Sequence, residues 1–228
     1  MEGLRGSAWR ERVAGYKFTY LLIALLMLVL APLIVGTSSQ RSLLFGTGIL
    51  VVMLFGVFAV FRHRRALVFA LALVVPATIA QVTSFVYGTQ HYPQLRLALF
   101  AAFLSFTAVI IIQDVLRAEA VTWDKIQGAV CAYLLIGVAW GLLHSWVGVL
   151  DPQAFSGAVQ AEGYAGVPMI YYSFVTLTTT GYGDITPVTA HAKSLSILEQ
   201  LTGTFYVAML IARLAGLYPP EAREETTA

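Results

Sequence analysis

Long apolar runs alternate with short polar breaks along the chain. A helix of about 20 residues crosses the roughly 30 Å of a bilayer's hydrocarbon, and runs of that order fall at 17–36, 43–61, 66–87, 95–116, 126–147 and 190–217. The first four are closely connected, by Thr37 to Arg41, by "RHRR" at 62–65 and by "GTQHYPQLR" at 88–96. An amphipathic connector, "QDVLRAEAVTWDK" (113–125), leads into the fifth, with Thr122 suited to cap its helix. The pattern predicts an all-α membrane protein with six transmembrane helices. It divides into a four-helix bundle (1–120), a second unit (121–218) and a short cytoplasmic tail (219–228).

The segment between the fifth and sixth runs departs from this rhythm. It begins polar and Gly-rich, "DPQAFSGAVQAEGYAGV" (151–167), and turns apolar in "PMIYYSFVTLTT", which is too short to span. Pro168 suits the first turn of a helix, where its missing N–H costs nothing. A short helix entering the membrane and followed by non-helical, Gly-containing backbone is a re-entrant loop. Such backbone persists at membrane depth only when buried in protein or lining a water-filled path.

Composition supports the membrane assignment: 58% of residues are hydrophobic and 11% charged, with a mean hydropathy of +0.77. A net charge of +2 is too small and too dispersed for a nucleic-acid surface, and no nucleic-acid partner is expected. Of the 14 lysines and arginines, only Arg41, Arg96 and Lys193 lie outside when the N-terminus is placed inside. Both termini are therefore expected in the cytoplasm of a multi-pass protein of the cell membrane. The first run is too long for a signal-peptide core and reads as an uncleaved anchor. Cys131 has no second cysteine to pair with, and the four histidines show no metal-ligand spacing, so neither a disulfide nor a cofactor is expected. Clustered nucleophiles or carboxylates that would indicate a membrane enzyme are absent from the runs.

Within the re-entrant segment stands "TLTTTGYGDI" (177–186). A dehydrated cation needs oxygen ligands in place of its water, and an extended strand with carbonyls turned one way supplies them in rows, with glycines permitting the dihedrals. "TTTGYGD" resembles the selectivity-filter signature of the potassium channel family, usually TTVGYGD, and the similarity runs over roughly 126–217. The resemblance implies a pore helix and an extended selectivity-filter strand between the fifth and sixth spans. Backbone carbonyls of Thr179, Thr180, Gly181 and Tyr182 would bind potassium, the Thr179 hydroxyl would form the innermost ring, and Gly183 would close the outer mouth. It also implies a homotetramer, because one strand cannot encircle an ion. Thr180 departs from the usual valine, which puts filter bracing and inactivation in question while leaving the carbonyl in place. The alternatives are a less selective cation channel and a filter-containing cation transporter subunit.

Further residues follow from the same resemblance. Asp184 would brace the mouth against the pore helix through Tyr171, with Tyr172 beside it, or else remain a solvated carboxylate that concentrates cations. Glu199 is an ionisable group inside a span, hence a functional candidate, although bonding to the back of the pore helix would also satisfy it. Gly203 falls at a hinge position of the family's inner helix, but also suits close packing. Helical spacing aligns Gln200, Thr204, Val207 and Ile211 in one stripe, facing either the cavity below the filter or lipid. The fourth run lacks the repeated arginines of voltage sensors, so weak voltage dependence is expected.

Overall fold

The computed structural model describes residues 17–30, 38–61, 64–87, 93–117, 122–157 and 166–216. In chain order these form α1 (Lys17–Leu30), α2 (Ser38–Val60), α3 (Arg64–Tyr87), α4 (Pro93–Leu116), α5 (Trp123–Leu150), strand β1 (Phe155–Gly157), α6 (Val167–Leu177), β2 (Ile185–Pro187) and α7 (Ala190–Gly216). Among the described residues four helices are long and apolar enough to cross a membrane: Arg64–Ser84, Pro93–Leu116, Trp123–Leu150 and Ala190–Arg213. The protein is thus an integral membrane protein. The other two expected spans lie on α1 and α2, whose apolar stretches are shorter where described, Phe18–Leu30 and Phe45–Val60. Residues 31–36 of the first expected span lie outside the described residues.

α5 is the axis of the fold. The Thr122 hydroxyl accepts from the Lys125 amide at 3.4 Å, and Asp124 in the first turn faces the positive end of the helix dipole. The helix stops where Asp151 returns its amide to the Val147 carbonyl at 2.8 Å, just before Pro152. Of its membrane-crossing window 61% is buried, against 22% for α7, so α5 is enclosed while α7 keeps an open face. α4 packs along α5, α1 packs on α2 and α5, and α3 packs on α4. One apolar core runs through Phe18, Leu25, Met53, Phe103, Leu104, Leu135 and Leu142. Cys131 is buried, its thiol donating to the Phe18 carbonyl at 3.3 Å. Where the C-terminal end of α4 meets the start of α5, Lys125 bridges back to Asp114 at 2.8 Å.

A two-stranded ribbon qualifies the all-α expectation. β1 pairs antiparallel with β2 in the register Phe155↔Pro187, Ser156↔Thr186 and Gly157↔Ile185. Phe155 and Ile185 turn into a small cluster with Met169, Tyr172 and Ala192, and the Ser156 and Thr186 hydroxyls meet at 2.7 Å on the other face. Gly157, at φ +95, lies so close that an added Cβ would sit 1.9 Å from the Asp184 carbonyl oxygen. The ribbon ties the approach to α6 to the residues leaving the GYGD segment.

Candidate functional site

α6 follows its N-cap Gly166, carries Pro168 in its first turn and runs 11 residues. It lies close against α5 and α7 because small residues face it. A Cβ added at Gly141 of α5 would stand 2.8 Å from the Ile170 Cα, and one at Gly137 would stand 2.5 Å from the Phe174 ring. One at Gly203 of α7 would meet the Leu177 carbonyl oxygen at 2.2 Å. Glycines four apart on α5, in "GVAWG", make the flat surface that close helix contact in membranes uses. The structure therefore uses Gly203 for packing against the end of α6.

Buried polar contacts fix α6 from both sides. The Tyr172 hydroxyl donates to Ser196 at 2.6 Å, since the single Ser196 proton goes to the Ala192 carbonyl at 2.8 Å. The Ser173 hydroxyl lies 2.6 Å from the Gly137 carbonyl oxygen and within hydrogen-bonding distance of Glu199 Oε1. Glu199 Oε2 is 2.7 Å from His144 Nε2, and both side chains are fully buried. The His144 ring stands edge-on to Tyr172 at 4.9 Å and to Phe155 at 5.6 Å. Glu199 thus sits behind α6. Sequence reasoning missed His144, Ser173 and Ser196; an ionisable residue within each of two neighbouring spans was the available signal for His144 and Glu199.

The segment after α6 folds back on the helix end. The Thr178 amide donates to the Phe174 carbonyl at 3.0 Å, Thr179 to Thr176 at 2.9 Å, and Thr180 and Gly181 to Val175 at 2.9 and 3.4 Å. In a trans peptide the C=O points opposite to the N–H. Because the amides of 179, 180 and 181 all turn toward α6, the carbonyls of Thr178, Thr179 and Thr180 turn away from it. Among the described residues none of those three oxygens accepts a backbone hydrogen bond. Backbone hand alternates here: φ is +58 at Thr179, +63 at Gly181 and +81 at Gly183, with no positive value at Thr180 or Tyr182. The segment expected as an extended strand is thus not a regular β-strand but a chain of alternating hand. A regular strand would send successive carbonyls to opposite sides, whereas alternation lets them share one. Thr179 pays for this with a conformation that L-residues adopt at about 1–2 kcal/mol.

Thr180 and Tyr182 are exposed, Tyr182 at 71%, and nothing lies within 4 Å of a Cβ placed at Gly181 or Gly183. The Tyr171 hydroxyl hydrogen-bonds the Asp184 carboxylate, linking α6 to the residue after Gly183, while Tyr172 turns instead to α7. Gln200, Thr204, Val207 and Ile211 are all exposed, on the flank of α7 away from buried Glu199, Gly203 and Tyr206. No group of three or more His, Cys, Asp or Glu among the described residues could hold a metal ion.

Residues 129–218, most of α5 through α7, match a family model described as an ion channel. The chain carries an ion-channel domain. No curated protein and no solved structure matches it. Within the channel domain, a short helix seated between two long ones ends at a row of outward-turned backbone oxygens, which an ion could occupy without any side-chain carboxylate.

Proposed function

We propose that the protein is a potassium-selective channel, conducting passively through a homotetramer in which four copies of the 178–183 segment surround one axis. The observation that carries it is the alternating-hand backbone at Thr179, Gly181 and Gly183, anchored by three consecutive amides to the end of α6. The free carbonyls of Thr179 and Thr180, continued by Gly181 and Tyr182, replace potassium's hydration shell, and ions advance by mutual displacement between successive sites. The negative end of the α6 dipole lies next to this row and favours a cation there. One chain supplies one row. The exposed Tyr182 and the exposed face of α7, including Leu198, Phe205 and Ile211, are the surfaces that neighbouring copies and lipid would cover. The six helices other than α6 are the proposed spans, with both termini cytoplasmic, and α6 with its following segment is the re-entrant loop.

Recording from the purified protein in planar bilayers, with potassium on one side and sodium on the other, tests selectivity. A reversal potential far from zero, of the sign that potassium permeation dictates, is expected. A value near zero would leave a less selective cation channel.

A further inference from the structure

Behind the proposed filter, three polar contacts run in series. His144 Nε2 meets Glu199 Oε2 at 2.7 Å, Glu199 Oε1 meets the Ser173 hydroxyl, and that hydroxyl meets the Gly137 carbonyl oxygen at 2.6 Å. Each contact needs a proton between its heavy atoms, because bare lone pairs at these separations repel. The Gly137 carbonyl carries none, so the one Ser173 proton is committed to it. The proton between Ser173 and Glu199 must then belong to the carboxyl group. His144 supplies the third from Nε2. His144 Nδ1 is buried and has no hydrogen-bond partner among the described residues. A bare lone pair tolerates that position better than the N–H of an imidazolium, whose buried donor would be left unsatisfied.

We infer that His144, Glu199 and Ser173 form a neutral hydrogen-bond chain pointing one way, from α5 through α7 and α6 back to α5, and that His144 is a positioning residue of the pore. His144 orients Glu199, Glu199 holds Ser173, and Ser173 sets the place of the helix whose Val175 and Thr176 carbonyls receive the amides of 179–181. The other titratable groups facing the pair are Tyr172 of α6, committed to Ser196, and Tyr133 of α5. A carboxylate paired with an imidazolium would instead draw the Ser173 proton away from Gly137, bringing two unprotonated oxygens together. The inference rests on the proposed conducting role of 178–183.

Glu199→Gln separates the two arrangements. Its amide N–H donates to Ser173 where the acid O–H did, and its oxygen accepts from His144, so every bond direction of the neutral chain survives. The charged pair would lose an acceptor and strand a buried cation. In bi-ionic recordings, Glu199→Gln is expected to keep the wild-type reversal potential. Glu199→Ala and His144→Ala should lose about tenfold or more in potassium preference, equivalent to about 1.4 kcal/mol. A second measurement needs no variant: Glu199 is the only fully buried carboxyl group among the described residues, and the wild-type infrared spectrum at neutral pH should contain a protonated-acid carbonyl band that shifts on deuteration. Loss of selectivity in Glu199→Gln equal to that in Glu199→Ala, or absence of the acid band, would overturn the neutral chain. A wild-type channel without potassium preference would overturn the proposed function instead, and the infrared band would still decide the hydrogen-bond chain.

Discussion

Thr180 stands where the channels it resembles usually carry valine, and its hydroxyl has a partner that valine would lack. The Thr178 hydroxyl gives its proton to the Phe174 carbonyl at 2.6 Å, so at the 2.8 Å contact between the two threonines Thr180 is the donor. Thr180→Val keeps the branched shape and removes a hydrogen bond worth on the order of 1 kcal/mol per subunit. The expected outcome is unchanged selectivity with a faster decline of current in low external potassium; identical decay in both proteins would show the hydroxyl idle. Gly181 makes a cleaner test of backbone hand, because nothing stands near it to clash. Gly181→Ala meets only the strain of φ +63, about 1–2 kcal/mol per chain, and should abolish current while the proposed tetramer still elutes intact in mild detergent. The glycines of this segment were legible in the sequence because their demand is local. Thr179 at φ +58 was not, since nothing in a threonine announces a left-handed backbone. His144 offered only the weak signal of an ionisable residue within a span, because its contact with Glu199, 55 residues away, exists only once the chain is folded.

Between helices, the seat of α6 depends on which atoms crowd each glycine. At Gly203 the obstacle is a backbone carbonyl at 2.2 Å, fixed at the end of α6, while at Gly137 it is the Phe174 ring at 2.5 Å, which can turn. Overpacking of this kind costs about 1–3 kcal/mol. Gly203→Ala should therefore lower the thermal midpoint of the purified protein more than Gly137→Ala does, and the reverse order would show that α6 yields more easily than the Phe174 ring. Most helices were readable from apolar run length, and the start of α5 from Thr122, because capping is settled within a few residues. The β-ribbon was not readable. Its strands are three residues each, too short for alternation to register, and its partners Ser156 and Thr186 are 30 residues apart with a helix between them. The alternating hand of 179–183 was not readable for a related reason. Sequence pattern reports which side chains alternate, whereas here the determining feature is where consecutive amides find acceptors.

Across the whole molecule, the position of the first four helices invites comparison with a voltage sensor, and the placement of their charges is what supports the expectation of weak voltage dependence. α4 carries Arg96 near its N-terminal end, where the guanidinium donates to Ser84 of α3 at 3.3 Å, and exposed Arg117 lies just past its C-terminal end. No basic residue lies between them, and the interior of α4 is given over to Leu97, Phe100, Phe103, Leu104 and Ile111 packed in the core. Long basic side chains at helix ends reach water at their own side of the membrane, so neither arginine need cross much of the field. Each elementary charge moved through the full field is worth about 2.3 kcal/mol per 100 mV. Even one such charge in each of four proposed subunits would supply about 9 kcal/mol per 100 mV, short of the tens of kcal/mol that steep voltage gating uses. The bundle is instead joined to the channel domain by the long contact of α4 with α5, by the Lys125–Asp114 bridge and by Thr19 donating to Gln127 at 2.9 Å. Those contacts suit a scaffold that holds α5, and through it α6, in place. Conductance measured over a wide voltage range in bilayers is accordingly expected to vary shallowly, and neutralising Arg96 or Arg117 should leave the slope unchanged. A steep conductance–voltage curve that flattens in Arg96→Gln or Arg117→Gln would mean that these end charges traverse the field, and that the bundle moves against α5 instead of bracing it.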